Sequence, residues 1–169
     1  MSKVGDKERI AQNRVVKLFQ HELKYRYLGN LEKEENNSNV IETLLTAFLT
    51  KKGYTKNQIS KALYEFYKSV NINTHDDLYQ ANKTVYSQLR YGIPVKEEAG
   101  QNKETVYLID WKNPLENDFA IAEEVTIKGV HHKRPDIVIH VTGIALAALE
   151  LKRITVSVSE GICQSNDNQ

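Results

Sequence analysis

The sequence predicts an α+β (mixed α/β) domain, because the spacing of its apolar residues changes partway along the chain. Through residues 7–92 apolar side chains recur every three or four positions, the period of amphipathic helices. From residue 105 onward they alternate or run in short β-branched stretches, the pattern of strands. Helices first, then an antiparallel strand series, then a closing helical segment is an order that layered α+β folds satisfy.

Each element has a local reason. Residues 7–23 place Ile10, Val15 and Phe19 on one helical face with Lys and Arg between them. Tyr25–Leu28 is a short strand closed by Gly29, and the polar run from Glu32 to Asn39 is a loop ending in a helix cap. Helices are expected at 40–52, stopped by Gly53, then at 56–70 and at about 75–92. Segment 38–92 therefore reads as a helical insert in one domain spanning 1–169. Strands follow at 105–109, 119–127 (interrupted by Glu123-Glu124), 136–141 and 144–151, with a turn at Thr142-Gly143. Ser157–Gln169 reads as the opening of a helix, which suggests a piece of a longer polypeptide.

Composition excludes several classes. The 169 residues suit one domain with a real core, and a net charge of +1 gives no strongly basic face. A nucleic-acid substrate would need another component to hold it. The single cysteine, Cys163, rules out a disulfide framework and any cysteine-based zinc site. The start of the chain has no secretory apolar region, and no run is long enough to span a bilayer. The expectation is a soluble, cytoplasmic protein with no membrane contact.

The chemistry-bearing residues lie in Lys133-Arg134-Pro135-Asp136 and Glu150-Leu151-Lys152. Strand positions two apart share a face, so Glu150 and Lys152 project together, continuing the stripe of Ile144, Leu146 and Ala148. A carboxylate and an ammonium there are costly unless paired or used. A two-residue turn at Thr142-Gly143 would set Asp136 opposite Leu149, on the wrong face. A three-residue loop, Val141-Thr142-Gly143, would instead pair His140 with Ile144 and bring Asp136 diagonal to Glu150, roughly 7–8 Å away. Two carboxylates so placed can share Mg²⁺ at a phosphodiester, with Lys152 orienting or deprotonating water or stabilising charge. The plainer alternative is a solvated charge ladder on an edge strand.

Other residues were weighed the same way. Glu8 and Gln12 extend the apolar stripe of the first helix, although an acid in a first turn also suits the helix dipole. Lys133 and Arg134, after His131-His132, could meet phosphate or simply form a solvated loop. His140 reads as a satisfied strand histidine, and Trp111, Tyr25 and Tyr27 as half-buried core rings or stacking platforms.

Asp136, the hairpin 141–144 and Glu150-Leu151-Lys152 resemble the PD-(D/E)xK nuclease motif. More narrowly, they are similar to the N-terminal nuclease domain of the restriction (R) subunit of type I restriction–modification enzymes. Residues 107–113 resemble the strand and turn before the motif in that family. Gln164 falls where the family carries a glutamine, and Glu8 and Gln12 fall on its acid-bearing first helix. The family's following tyrosine is here Asn168, and Glu42 is a rival first-helix acid ranked below Glu8.

The resemblance implies a restriction-endonuclease-like core, with a central mixed sheet flanked by helices, that cuts double-stranded DNA. It implies Mg²⁺ dependence, with Mn²⁺ a substitute, Asp136 and Glu150 as metal ligands and Lys152 as catalytic base or charge stabiliser. Glu8 would be an accessory acid, and Gln164, Gln12, Arg134 and Lys133 accessory or DNA-contacting groups. It also implies modification and specificity subunits as partners, and ATP used only in a motor portion of the longer chain. A non-catalytic docking module and a stand-alone repair or recombination nuclease are the alternatives.

Overall fold

The computed structural model describes residues 4–32, 38–71, 77–98, 100, 102–125 and 134–151, without the side chains of residues 4–8. Two compact units emerge: residues 1–40 with 119–169, and residues 41–118. The second unit starts close to the expected insert but runs on to Asp118, taking in a pair of short strands and a loop.

In the first unit, α1 (Val4–His21) precedes β1 (Arg26–Asn30). The remaining strands are β4 (Phe119–Glu123), β5 (Ile137–Val141) and β6 (Ile144–Leu149). They form one sheet in the order β1-β4-β5-β6. The β4–β5 and β5–β6 pairs are antiparallel, as the strand spacing suggests, and β1 runs parallel to β4, so the sheet is the mixed one that the resemblance implies. A parallel pair needs a long crossover, and β1 and β4 are separated in sequence by the whole second unit.

α1 lays its apolar stripe on one face of this sheet. Val16 packs with Ile121 and Ile137, flanked by Val15, Phe19, Ile139, Leu149 and Leu151. Tyr25 joins the seam edge-on to Phe19 and stacked on Phe119, each at 5.1 Å between ring centroids. The opposite face buries Ala122, Val125 and Val138, with Leu28, Leu31 and Ala145 alongside. The helix cap expected at Asn39 is absent. Helix α2 (Glu42–Lys51) starts after Ile41 without a side-chain cap, because the backbone of 39–40 is engaged elsewhere. The Asn39 carbonyl accepts from the Ala145 amide at 2.8 Å and Val40 bridges Ile144.

The β5–β6 hairpin departs from the expected loop. Its turn is the two-residue type, with Val141 paired to Ile144 and positive φ at both Thr142 (52°) and Gly143 (88°). The three-residue loop is therefore wrong. An extra residue is accommodated elsewhere: the register shifts between Ile139↔Ala147 and His140↔Ala145, leaving Leu146 as a bulge.

The second unit packs α2, α3 (Lys56–Val70) and α4 (Leu78–Tyr91) with an antiparallel pair, β2 (Ile93–Val95) and β3 (Glu104–Val106). Leu45, Leu49, Phe66, Val106 and Leu108 are its most deeply buried side chains. Thr55 and Gln58 form a reciprocal capping box at the start of α3, and the Asp77 carboxylate caps α4. Gly92 ends α4 at φ 77°, where a Cβ would meet Thr105 Cγ2 at 2.6 Å and the Val106 carbonyl at 2.8 Å. Both the backbone angle and the space demand glycine. Gly92→Ala is expected to destabilise the protein by more than about 1 kcal/mol. Urea unfolding measures this, and an unchanged midpoint would refute the close approach.

Candidate functional site

The β5–β6 register decides which acids meet. Beyond the bulge, Ile139 pairs with Ala147, Val138 with Ala148 and Ile137 with Leu149. Continued one step past this last pair, the register would bring Asp136 opposite Glu150 rather than diagonal to it, both residues lying just beyond the strand ends. Directly opposed residues share a face, with backbone positions about 4.5–5.5 Å apart. The carboxylate of Asp136 reaches across the hairpin mouth, its Oδ2 accepting the Leu151 amide at 2.6 Å. The bulge also corrects the expected stripe: Ala148 shares the Glu150 face, whereas Ile144 and Leu149 turn toward α1. Glu150 itself is exposed.

Gln12 fastens α1 to this strand end. It is buried, and its Nε2 lies 3.2 Å from both the Asp136 carbonyl and Glu124 Oε1. The Asp136 carbonyl also accepts the Glu124 amide at 3.1 Å. Glu124 holds a left-handed backbone, φ 52°, a strained conformation for a side chain of its kind. Arg134 contacts the same acid through Nε at 2.9 Å and pairs with Glu32 as well. Its guanidinium is thus engaged by two carboxylates. Glu8 sits one turn before Gln12 in α1, but its side chain, like Lys133, Lys152 and Gln164, lies outside the described residues. Glu42 belongs to the other unit, where its carboxylate accepts from the Tyr67 hydroxyl at 3.0 Å.

Sequence reasoning missed Glu123, a buried carboxylate on the α1 side of the sheet. Tyr27 donates its hydroxyl to Glu123 Oε1 at 2.6 Å, and Arg9 lies 3.6 Å from Oε2. Oε2 is buried without a hydrogen bond of its own. The signal was present, since Phe119, Ile121 and Glu123 alternate on one face and the third member is an acid where an apolar residue belongs. His140 is only partly satisfied. Burial holds its imidazole below the ordinary histidine range, outweighing a backbone hydrogen bond at Val138, and Nδ1 is buried with no hydrogen-bond partner among the described residues.

Asp136 and Glu150 are the two acids nearest the end of the β5–β6 ladder, and Lys152 follows them in sequence. Among the described residues no group of three or more His, Cys, Asp or Glu converges on one point. Residues 6–169 match the family model for the type I restriction enzyme R protein N terminus. The chain belongs to that family. A Methanocaldococcus jannaschii chain named as a type I restriction enzyme MjaIXP endonuclease subunit is 29% identical over 92 residues, covering 51% of this chain. This chain spans 9% of that curated relative's length. No helix among the described residues is long and apolar enough to cross a membrane.

The Tyr27–Glu123 contact gives the site a testable alkaline dependence. Burial, then the hydrogen bond to Glu123 and its charge, push the Tyr27 phenol up to about 12 from an ordinary value near 10. A raised phenol holds its proton more tightly in the folded state. Its contribution is therefore complete below pH 10 and disappears as pH rises from 10 to about 12. Tyr27→Phe is expected to cost about 1 kcal/mol at pH 8 and to decline less steeply than the parent between pH 10 and 12. Denaturant unfolding across that range reads it, and parallel pH profiles would contradict the contact.

Proposed function

We propose that this chain is the Mg²⁺-dependent endonuclease portion of a type I restriction enzyme R subunit, hydrolysing phosphodiester bonds of double-stranded DNA. The observation that supports the reading is the β5–β6 register, which pairs Ile137 with Leu149 and, continued one step, would bring Asp136 opposite Glu150, in a member of this family. Asp136 and Glu150 would hold Mg²⁺, or Mn²⁺ in its place. The bound ion would polarise the phosphate and make a bound water more acidic.

The chain's own residues do the rest. The Leu151 amide fixes one oxygen of Asp136, so that carboxylate is oriented before any ligand arrives. Gln12 and the Glu124 amide hold the backbone of Asp136 in place. Two anions opposed on one face repel, and a cation between them relieves the cost. Lys152 has the chemistry to position or deprotonate the attacking water, or to offset charge gathering on the phosphate. Glu8 would supply a further acid from α1, and Gln164 and Lys133 would meet the DNA. Modification and specificity subunits would be its partners in the cytoplasm, with ATP serving a motor portion of a longer polypeptide.

The test is plasmid nicking in Mg²⁺ or Mn²⁺ beside calorimetric titration of the metal alone. Asp136→Ala and Lys152→Ala are each expected to lower cutting by about 10²–10⁴-fold. Asp136→Ala is also expected to abolish metal binding that Lys152→Ala retains. Equal cutting by parent and variants would remove the assigned site. A parent that binds no metal and cuts nothing would favour a docking module instead.

A further inference from the structure

The second unit contains a cavity of about 490 Å³, within the range of small-ligand sites. Its walls include Tyr91, Tyr107 and Trp111, which remain 66%, 49% and 47% exposed. Single exposed aromatics are ordinary, but three converging on one concavity are not. Lys52, Arg90 and Lys112 line the same space, and Asp110 is the lining's sole carboxylate. Asp110 is already committed, with Lys52 Nζ at 2.7 Å from its Oδ2. Arg90 and Lys112 therefore set the sign of the site.

The Trp111 ring is fixed in place. Trp111 Nε1 donates to the Leu89 carbonyl at 2.7 Å, and the Arg90 guanidinium lies over the indole, 5.4 Å from its centre. The Tyr107 amide donates to the Tyr54 hydroxyl at 3.0 Å. Beneath them Asp110 Oδ1 accepts the amides of Lys112 and Asn113, and Asn117 clamps both the amide and the carbonyl of Asp110. Apart from a 3₁₀ turn at Pro114–Glu116 this loop has no regular secondary structure, yet its side chains lock it. Rigid stacking surfaces lose little entropy when a ligand is bound.

We propose that this cavity binds an unpaired nucleotide of a single DNA strand, its base stacked on the exposed rings and its phosphates met by Arg90 and Lys112. Aromatic faces beside cations are how proteins hold single strands without reading sequence. A duplex hides its base faces in the stack and offers nothing to three rings in a concavity. The two cations that set the sign come from separate elements (the end of α4 and the loop), which suits successive phosphates of a strand better than one compact phosphate group. The inference shares with the nuclease reading only the identity of the ligand as DNA.

Trp111 is the chain's single tryptophan, so it reports on the cavity directly. The experiment is quenching of its fluorescence in EDTA by oligo-dT of about eight nucleotides, with a duplex of equal length and free dTMP as the other arms. Because EDTA prevents cutting, a result here stands apart from the nicking test in either direction. Saturable quenching by the single strand is expected, at least about tenfold tighter than by duplex or dTMP. Tyr107→Leu, with parental circular dichroism, is expected to weaken binding about tenfold or more. Lys112→Gln, on the exposed loop, is expected to lower the salt dependence by about one phosphate contact. No quenching by the single strand, equal affinity for duplex or for dTMP, or unchanged binding by both variants would each overturn the proposal.

Discussion

The pairing register of β5 with β6 is the constraint on which the acid-bearing end of the sheet depends. A strand has two faces, and a slip of one residue exchanges them. The hairpin begins in one register at the Thr142-Gly143 turn and leaves in another after Leu146. The bulge residue is 43% exposed, so the extra length is taken up outward rather than in the core. Without that residue's worth of slack, Ile137 and Leu149 could not pair while the tight turn is kept. With it, both requirements hold: apolar residues face α1, and Asp136 and Glu150 share the other face.

That end of the sheet is also where the structure concentrates its costly features. Glu123 is buried, Glu124 adopts a left-handed backbone, and Asp136 and Glu150 flank the last pair of the β5–β6 ladder. Each is held by a contact of long sequence separation: Tyr27 and Arg9 on Glu123, Arg134 and Gln12 on Glu124, Gln12 and Leu151 on Asp136. Such groups persist only where surrounding structure fixes them. Gln12 is central because a single amide touches both the strand end of Asp136 and the side chain of Glu124. The first helix thus does more than cover the sheet; it sets the position of the acids.

Much of this was legible from residue spacing, and the reasons for the exceptions are physical. Helices α1 to α4 and strands β4 to β6 follow apolar periods bounded by Gly53, Gly92 and Gly143, so their existence was readable within a few residues. Strand β2 was not, being three residues with Pro94 at its centre and its pairing partner about ten residues away. The bulge could not be read either. Ile144-Ala145-Leu146-Ala147-Ala148-Leu149 fits more than one register, and the choice comes from simultaneous packing on β4, α1 and residues 39–40. Asp136 and Glu150 stood out as charges in apolar runs, whereas Glu123 was passed over as a strand interruption although it obeys the same rule.

The two units express one principle in opposite ways. In the first, like charges are gathered and aligned by hydrogen bonds from amides and an amide side chain, which concentrates negative potential on a cation or a water. In the second, the sole acid of the cavity is neutralised by Lys52, and rings are left exposed beside cations, which draws an anionic and aromatic ligand. On the two proposals above, a chain with a net charge of +1 would engage DNA without a basic face. The attraction would be local: carboxylates would act through a bound cation at one place, and guanidinium, ammonium and aromatic surfaces directly at another. Affinity built from stacking is also less sensitive to salt than affinity built from phosphate contacts alone. The proposed contact would discriminate for opened strand rather than for DNA in general, which charge alone in a weakly charged domain would not.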